Sequence, residues 1–257
     1  LQEARARWPK DDRIAYYLAL GHDDLGEHAS AVGLLREVLA IKPDDRDARW
    51  QLATILEKMD KIAEAEPEFR ALIASKPDDA PAMNYLGYAL ADRGLKLPEA
   101  EGLVRSALAL EPGNAAYRDS LGWALYKQGR FAPAVVELEA AAREIADDES
   151  LWEHLASGYQ SVGNAEGAWL AWRLSQSLGS AKAGEKAEDL QKNMSDEGLA
   201  ELWRRHLSAV QGGVKKMSGL CELKGRIAGH PVSRQALFTF RASRDVSFEL
   251  LGPMFST

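Results

Sequence analysis

Apolar residues recur every three to four positions along most of the chain up to residue 179, which predicts a succession of amphipathic α-helices. Several of these stretches, such as "AVGLLREVLAIKP", end in a proline, and Pro9, Pro43, Pro77 and Pro112 lie 34, 34 and 35 residues apart. A period of about 34 residues that holds two helices predicts an array of helical repeats. With one inserted residue in the third repeat, this spacing places the repeat starts near Asp12, Arg46, Ala80, Ala115 and Glu149, and residues 1–11 form the tail of a preceding repeat.

Small and large side chains recur at fixed positions within this period. Because only a small side chain lets two antiparallel helices approach to about 8–10 Å, an alanine at the same position of each repeat predicts a close helix contact. Glycines at the turn between the two helices supply the positive φ that ends the first helix. The leucine column is Leu18, Leu52, Leu86, Leu121 and Leu155; the alanine column is Ala31, Ala65, Ala100, Ala134 and Ala168; the turns hold Gly26, Asp60, Gly94, Gly129 and Gly163.

Over residues 1–179 this pattern resembles tetratricopeptide-repeat (TPR) proteins. The resemblance implies a mainly α fold, a right-handed superhelix of antiparallel helix pairs made of the end of one repeat and about five more. It also implies a non-enzymatic scaffold that binds other proteins. Residues 84–141, "NYLGYALADRGLK" onward, look like paired repeats of a group of bacterial TPR proteins, with an insertion near Leu95 to Leu97. In that group the array often precedes an outer-membrane-associated module.

The resemblance also implies a binding groove lined by the first helix of each repeat. Aromatic residues with a polar tip occupy several of its columns, and they suit an extended peptide or a short amphipathic helix of a partner protein. An alternative interpretation is that Trp50 and Trp123 only pack against the neighbouring helix. A lysine and asparagine clamp for a C-terminal carboxylate is not expected, since Tyr16 and Trp50 stand at its positions. The predicted groove residues are Tyr16, Trp50, Asn84, Tyr88, Asp119, Trp123, Tyr126 and Glu153.

Charge and composition narrow the function further. The formal net charge of −7 and the pI near 5.4 argue against binding to nucleic acid, which requires clustered lysine and arginine in excess. The histidines lack metal-ligand spacing, and no phosphate-binding glycine loop or nucleophile elbow is present. The aspartate pairs at 44–45 and 78–79 are interpreted as helix caps. The sequence therefore predicts no enzyme activity, no metal and no cofactor. Cys221, the single cysteine, does not indicate a compartment.

After residue 179 the repeat pattern ends. Residues 180–195 predict a polar helix and linker, and residues 197–211 a second helix. From Leu220 onward apolar and polar residues alternate, which predicts three strands of an antiparallel β-meander with turns at 229–231 and 243–245. The expected fold is therefore a TPR array followed by a helix and a small, incomplete meander.

Residues 196–257, including "LWRRHLSAVQ" and "RQALFTFRAS", resemble the start of LolB and related proteins with the LolA/LolB half-barrel fold. The resemblance implies a truncated lipid-handling segment that contacts lipoprotein acyl chains or a membrane surface, in the periplasm or at the outer membrane. Pro253, Ser256 and Thr257 match the family's loop, whereas Phe255 replaces its glycine. The alternative is a cytoplasmic TPR scaffold whose unrelated meander pairs with a partner by strand addition. The implied lipid-facing residues are Leu223, Ile227, Phe238, Phe240, Phe248, Leu250 and Met254.

Overall fold

The computed structural model describes residues 2–192, 216–227, 230–241 and 246–250. Two compact units make up the chain, Leu1–Gln128 and Gly129–Thr257. The helices of the first unit are α1 Gln2–Arg7, α2 Asp12–Asp24, α3 His28–Ile41, α4 Arg46–Lys58, α5 Ile62–Ser75, α6 Ala80–Asp92, α7 Leu97–Leu110 and α8 Ala115–Lys127. The described helices of the second are α9 Phe131–Ala142, α10 Glu149–Ser161, α11 Ala165–Leu178 and α12 Ala181–Gln191.

The first helix of each repeat begins at the residue that the proline spacing predicts. Helices α2, α4, α6, α8 and α10 start at Asp12, Arg46, Ala80, Ala115 and Glu149. A side chain just before each helix explains the start, because it accepts a hydrogen bond from a backbone N–H of the first turn. Asp45 accepts from Ala48 at 3.0 Å and Asp79 from Ala82 at 3.4 Å. The interpretation of these aspartates as caps is confirmed.

The turns within the repeats also follow the sequence pattern. Gly26, Gly94, Gly129 and Gly163 all have positive φ, between 68° and 76°. Asp60 takes the same conformation with φ 59° at the cost that a side chain imposes there. In the third repeat the inserted residue lengthens this turn, and Lys96, the cap of α7, is left-handed as well with φ 46°. The repeat therefore absorbs its extra residue between the two helices.

The alanine column lies in the core of the first unit. Ala31, Ala65 and Ala100 are 0% exposed, which confirms that this position is a packing site. Gly87 in α6 shows how close the helices lie, because a Cβ there would stand 2.6 Å from Val104 Cγ2 and 2.9 Å from the Ala100 carbonyl oxygen of α7. Leucines of the leucine column and Phe69 fill the remaining space. Leu18, in the first repeat, is only half-buried.

Ion pairs connect successive repeats of the first unit near the ends of their first helices. Lys58 Nζ of α4 lies 2.9 Å from Asp23 Oδ2 of α2. Arg93, which follows α6, contacts Glu57 of α4 and Asp60, each at 2.8 Å. Such contacts fix the position of one repeat relative to the next, in addition to the apolar core.

In the second unit, α12 packs against α11 after the last predicted repeat. Its Ala183, Gly184 and Ala187 are buried, and the Lys186 ammonium lies 3.8 Å from the centroid of the Trp172 ring. Burial and the charge of Lys182 lower the pKa of Lys186. The sequence predicts this helix as polar, and the structure adds that its small residues cover the end of α11.

The second unit also contains three β-strands, which are described by their backbone pairing. β1 Lys216–Ile227 pairs antiparallel with β2 His230–Arg241, which pairs antiparallel with β3 Val246–Leu250. The predicted turn at 229–231 is wrong in its bounds, because β2 already begins at His230. The first strand likewise begins at Lys216, four residues before Leu220. The predicted helix at 197–211 and the loop residue Met254 lie outside the described residues.

Candidate functional site

The predicted groove residues lie on the first helices of the repeats and are all half-buried. In the first unit Tyr16 lies in α2, Trp50 in α4, Asn84 and Tyr88 in α6, and Asp119, Trp123 and Tyr126 in α8. Half-burial means that each side chain has one part in the protein and another part open to contact. Their local contacts, however, differ from one residue to the next.

Trp123 and Tyr126 form a stacked aromatic pair on α8. Their ring centroids are 4.8 Å apart with an angle of 4° between the planes. The indole Nε1 of Trp123 donates a hydrogen bond to Asp92 Oδ1 at 2.9 Å, which ties the ring to the end of α6. The ammonium of Lys127 lies 5.0 Å from the centroid of the same ring and 3.8 Å from Asp92. These contacts hold two large aromatic faces in one orientation.

Trp50 belongs to an aromatic cluster in the core. Its ring packs edge-on against Phe69 at 5.9 Å and against Tyr85 at 5.6 Å, and Tyr85 stacks on Phe69 at 5.2 Å. Trp50 thus contacts the neighbouring first helix through Tyr85, as the alternative interpretation proposes. Tyr85 itself was not among the predicted residues. Burial and the charge of Glu57 raise its pKa.

Tyr16 stands at the other end of the first unit. Its ring meets the exposed Tyr17 edge-on at 5.5 Å. Burial, together with the negative charges of Asp47 and Asp45 on the next repeat, raises the pKa of Tyr16. The phenol is therefore a neutral hydrogen-bonding group at physiological pH.

Asn84 and Tyr88 lie one helical turn apart on α6, on the same face of the helix. The carbonyl oxygen Oδ1 of Asn84 is buried, and within the described residues no donor lies in hydrogen-bonding range of it. Asp119 occupies the corresponding position on α8 and is half-buried. Because Asp119 precedes Trp123 by one helical turn, its carboxylate lies on the same face of α8 as that ring.

Glu153 lies in the second unit, on α10. Its carboxylate accepts a hydrogen bond at 2.6 Å from the hydroxyl of Ser180, the residue that caps α12. Glu153 therefore helps to hold α12, a role that its column position did not indicate. On the same unit, the hydroxyl of the half-buried Tyr159 donates a hydrogen bond to Glu139 at 2.7 Å. Partial burial and this carboxylate raise the pKa of Tyr159.

Metal binding and membrane spanning are two further possibilities for the described residues. Among them, no group of three or more His, Cys, Asp or Glu side chains is arranged to hold a metal ion. None of the described helices combines the length and apolar character needed to cross a membrane.

One helical hairpin repeated along a chain, with each copy packed on the next, is the architecture of helical-repeat scaffolds. Two family models described as tetratricopeptide repeat match the sequence, one over residues 24–87 and the other over residues 1–46 and 95–150. Together they match more than half of the chain, which belongs to the tetratricopeptide-repeat family. Repeats of this family are typically non-catalytic and bind protein partners.

Known proteins agree with this assignment. The TPR repeat-containing protein PA4667 of Pseudomonas aeruginosa is 37% identical over 97 residues, which cover 36% of this chain and only 16% of that protein. The solved structure of PilW, a type IV pilus biogenesis factor, matches with a TM-score of 0.63 at 20% identity, over 79% of this chain and 94% of PilW. Pseudomonas aeruginosa PilF matches with a TM-score of 0.60 at 22% identity, over 79% of this chain and 93% of PilF. TTC0263 of Thermus thermophilus matches with a TM-score of 0.54 at 23% identity, over 78% of this chain and 99% of TTC0263. At these identities the structures establish the fold.

Proposed function

We propose that this chain is a protein-binding scaffold that holds a peptide segment of a partner against the first helices of residues 1–128, centred on Trp123 and Tyr126. The observation that carries the proposal is the stacked pair itself, fixed by Asp92 and Lys127. Aromatic side chains dominate the binding energy of protein interfaces when they are already held in place, because little rotamer entropy is then lost on binding.

Tyr16, Asn84, Tyr88 and Asp119 extend this surface along the unit. Trp50 acts differently in this proposal, since its contacts with Phe69 and Tyr85 make it a support for the neighbouring helices. The Glu153 carboxylate likewise holds α12. The proposed contact residues are therefore concentrated on α2, α6 and α8.

A peptide selected from a random displayed library against the full chain tests the proposal. The double variant Trp123→Ala, Tyr126→Ala should weaken its binding by on the order of 2 kcal/mol, or about 30-fold, with unchanged helical circular dichroism. Trp8→Ala is the matched control, because Trp8 is a 51% exposed tryptophan that precedes α2. If the double variant binds every selected peptide as tightly as the wild type does, the proposed site is wrong.

We further propose that the protein works at the cell envelope, in the periplasm or at the outer membrane. The resemblance of residues 196–257 to LolB supports this, and the fold shared with PilW is consistent with it. Osmotic-shock fractionation of cells that express the native gene tests the location. Recovery of the protein with cytoplasmic markers would instead support the cytoplasmic scaffold.

In the envelope proposal the β-strands contribute an acyl-chain surface. Residues paired directly across antiparallel strands share a face, and Phe238 pairs with Phe248, and Ala236 with Leu250. Leu223, Ile227 and Phe240 fall on the same set of alternate positions in this register. The full chain should then take up a fluorescent fatty acid saturably, and Phe240→Asp should abolish the uptake while Thr239→Asp, at the neighbouring position, leaves it intact.

The strand order favours one alternative role for this segment. In the described sheet β2 is central, so β1 and β3 are its edges. An edge strand offers unpaired backbone groups to a partner strand. Absence of saturable fatty-acid uptake, together with a partner peptide that pairs with β3, would replace the lipid proposal with strand addition.

A further inference from the structure

One charged residue of the described strands lies on a different face from the others. The register of the sheet assigns every strand residue to a face, because alternate residues lie on opposite faces and directly paired residues share one. Arg234, which pairs with Leu223, falls on the face that carries Phe238 and Phe248. The remaining Lys, Arg and Glu residues of the described strands fall on the opposite face, and they are Lys216, Glu222, Lys224, Arg226, Arg241 and Glu249.

Arg234 is placed at the end of the apolar part of its face. In the described sheet β3 pairs with β2 from Phe240 to Ala236, so Arg234 is the next position of this face beyond the three-stranded part. At the usual rise of a strand, the backbone of Arg234 is about 13 Å from that of Phe238 and about 20 Å from that of Phe240. An elongated ligand that lies along β2 with one end at Arg234 therefore has apolar positions along the rest of its length.

A guanidinium at such a position requires a negative partner when a ligand covers the face. A charge that is taken out of water beside an alkyl chain is costly unless it is paired. Both acidic residues of the described strands, Glu222 and Glu249, lie on the opposite face and are not placed to pair with Arg234 across the strands. The planar fork of an arginine fits two oxygens of a carboxylate or a phosphate. The head group of an anionic amphiphile presents such oxygens at the end of its chain.

We propose that Arg234 selects amphiphiles with a negatively charged head group, which it binds while the alkyl chain lies on the apolar face of the strands. The inference rests on the proposed acyl-chain surface and narrows it, since a neutral lipid with the same chain lacks the charged contact. Arg234 sets the specificity for the head group, and the apolar positions bind the chain.

The experiment compares two competitors that have the same chain and differ in the charge of the head group, palmitate and cetyl alcohol. Each displaces a neutral probe, a long-chain alcohol that carries a fluorophore, from the full chain at a pH at which palmitate is ionised. The wild type should bind palmitate at least about tenfold more tightly than cetyl alcohol, which is the value of one contact with a charged group. Arg234→Gln should remove this preference and leave the affinity for cetyl alcohol unchanged.

Two further variants serve as controls. Arg241→Gln removes a charge from the same strand but from the opposite face, so it should leave the affinities for both competitors unchanged. Arg234→Lys keeps the charge without the planar fork, so it should retain part of the preference for palmitate. Because the preference is a ratio measured on one protein, a variant with a smaller folded fraction still reports it.

A third competitor distinguishes the two kinds of anionic head group. Lysophosphatidylglycerol with a palmitoyl chain carries a phosphate in place of the carboxylate of palmitate. The anion whose affinity falls more in Arg234→Gln is the preferred ligand, and a fall for either one supports the role of Arg234.

The outcomes separate this inference from the proposed function. Equal affinities of the wild type for palmitate, cetyl alcohol and lysophosphatidylglycerol overturn the role of Arg234 and leave the acyl-chain surface standing. A similar loss of affinity for all three competitors in Arg234→Gln overturns it as well, because it indicates a structural residue. If the neutral probe does not bind saturably to the wild type, the acyl-chain surface itself is wrong, and this inference with it.

Discussion

A single missing carbon decides how closely α6 and α7 pack. The Cα of Gly87 faces the Ala100 carbonyl and Val104 so closely that a methyl group has no room. Gly87→Ala should therefore destabilise the protein by about 1–3 kcal/mol in urea unfolding. Gly102→Ala, in the neighbouring α7, is the opposite case, since nothing lies within 4 Å of its Cβ position. That change should stabilise by about 0.5–1 kcal/mol, and equal effects of the two substitutions would contradict the close approach.

The alanine column makes a similar prediction in the second unit. Ala134 is 0% exposed, so a leucine there must find space for three more carbons. Ala134→Leu should lower the free energy of unfolding by about 1–3 kcal/mol. Ala132→Leu, at an exposed position of the same helix, should change it little. A melting temperature of Ala134→Leu equal to that of the wild type would show that the column does not mark a packing site.

At the residue scale the sequence predicts which helix face a side chain lies on, but not how deeply it is inserted. Trp50 and Trp123 were assigned to the groove on the same argument from column position. Phe69 and Tyr85 enclose Trp50 because α5 and α6 converge on it, and this convergence depends on tertiary packing. The orphan oxygen of Asn84 is equally invisible in the sequence, because it follows from which donors happen to lie nearby.

Helix α5 contains a proline in its interior, which removes one backbone hydrogen bond. Pro67 is the sixth residue of the helix, beyond the first turn in which proline is tolerated, so the carbonyl of residue 63 lacks its helical partner N–H. Pro67→Ala should restore that bond and stabilise the protein by about 1–3 kcal/mol in urea unfolding. Pro98→Ala is the control, because Pro98 stands in the first turn of α7 and replaces no helical hydrogen bond. A decrease in stability for Pro67→Ala would mean that the ring makes a packing contact that outweighs the bond.

At the scale of elements, the proline period and the capping residues predict the helices well, since both act locally. The inserted residue was also located, because Leu95 to Leu97 interrupt an otherwise regular spacing. The docking of α12 was missed for a physical reason. Its buried face consists of Ala183, Gly184 and Ala187, whose small side chains leave no apolar stripe for the sequence pattern to show. The observed start of β2 differs from the predicted one because His230 and Pro231, residues typical of turns, lie within the strand.

Across the molecule, carboxylates that join successive repeats make stability depend on pH. Burial acts to raise the pKa of Asp23, but the hydrogen bond and charge of Lys58, aided by His28, hold it below its ordinary value. A hydrogen bond from Lys96 has the larger effect on Glu66 and lowers its pKa despite burial. Because the unfolded chain binds these protons more tightly, the pairs stabilise the fold above the unfolded pKa values of about 3.9 and 4.3. This stabilisation is lost as the pH falls through the lower folded values.

Urea unfolding at pH 7 and pH 3 measures this dependence. Asp23→Asn and Glu66→Gln should each remove about 0.2–1 kcal/mol at pH 7 and reduce the difference between the two pH values. Asp189→Asn is the control, because Asp189 is 76% exposed and pairs with Lys192 of the same helix end. A pH dependence that is identical in the wild type and in both variants would place the acid sensitivity elsewhere.

The lengthened turn of the third repeat has a practical consequence for rebuilding the molecule. Among the described residues, the Leu95 carbonyl and the Lys96 amide take part in none of the backbone hydrogen bonds of this turn, whereas the Leu95 amide bonds to Leu90 and the Lys96 carbonyl caps α7. The peptide bond between the two residues can thus be opened without removing any of these bonds. Division of the chain into two reassembling fragments for a split reporter should be tolerated best at this bond.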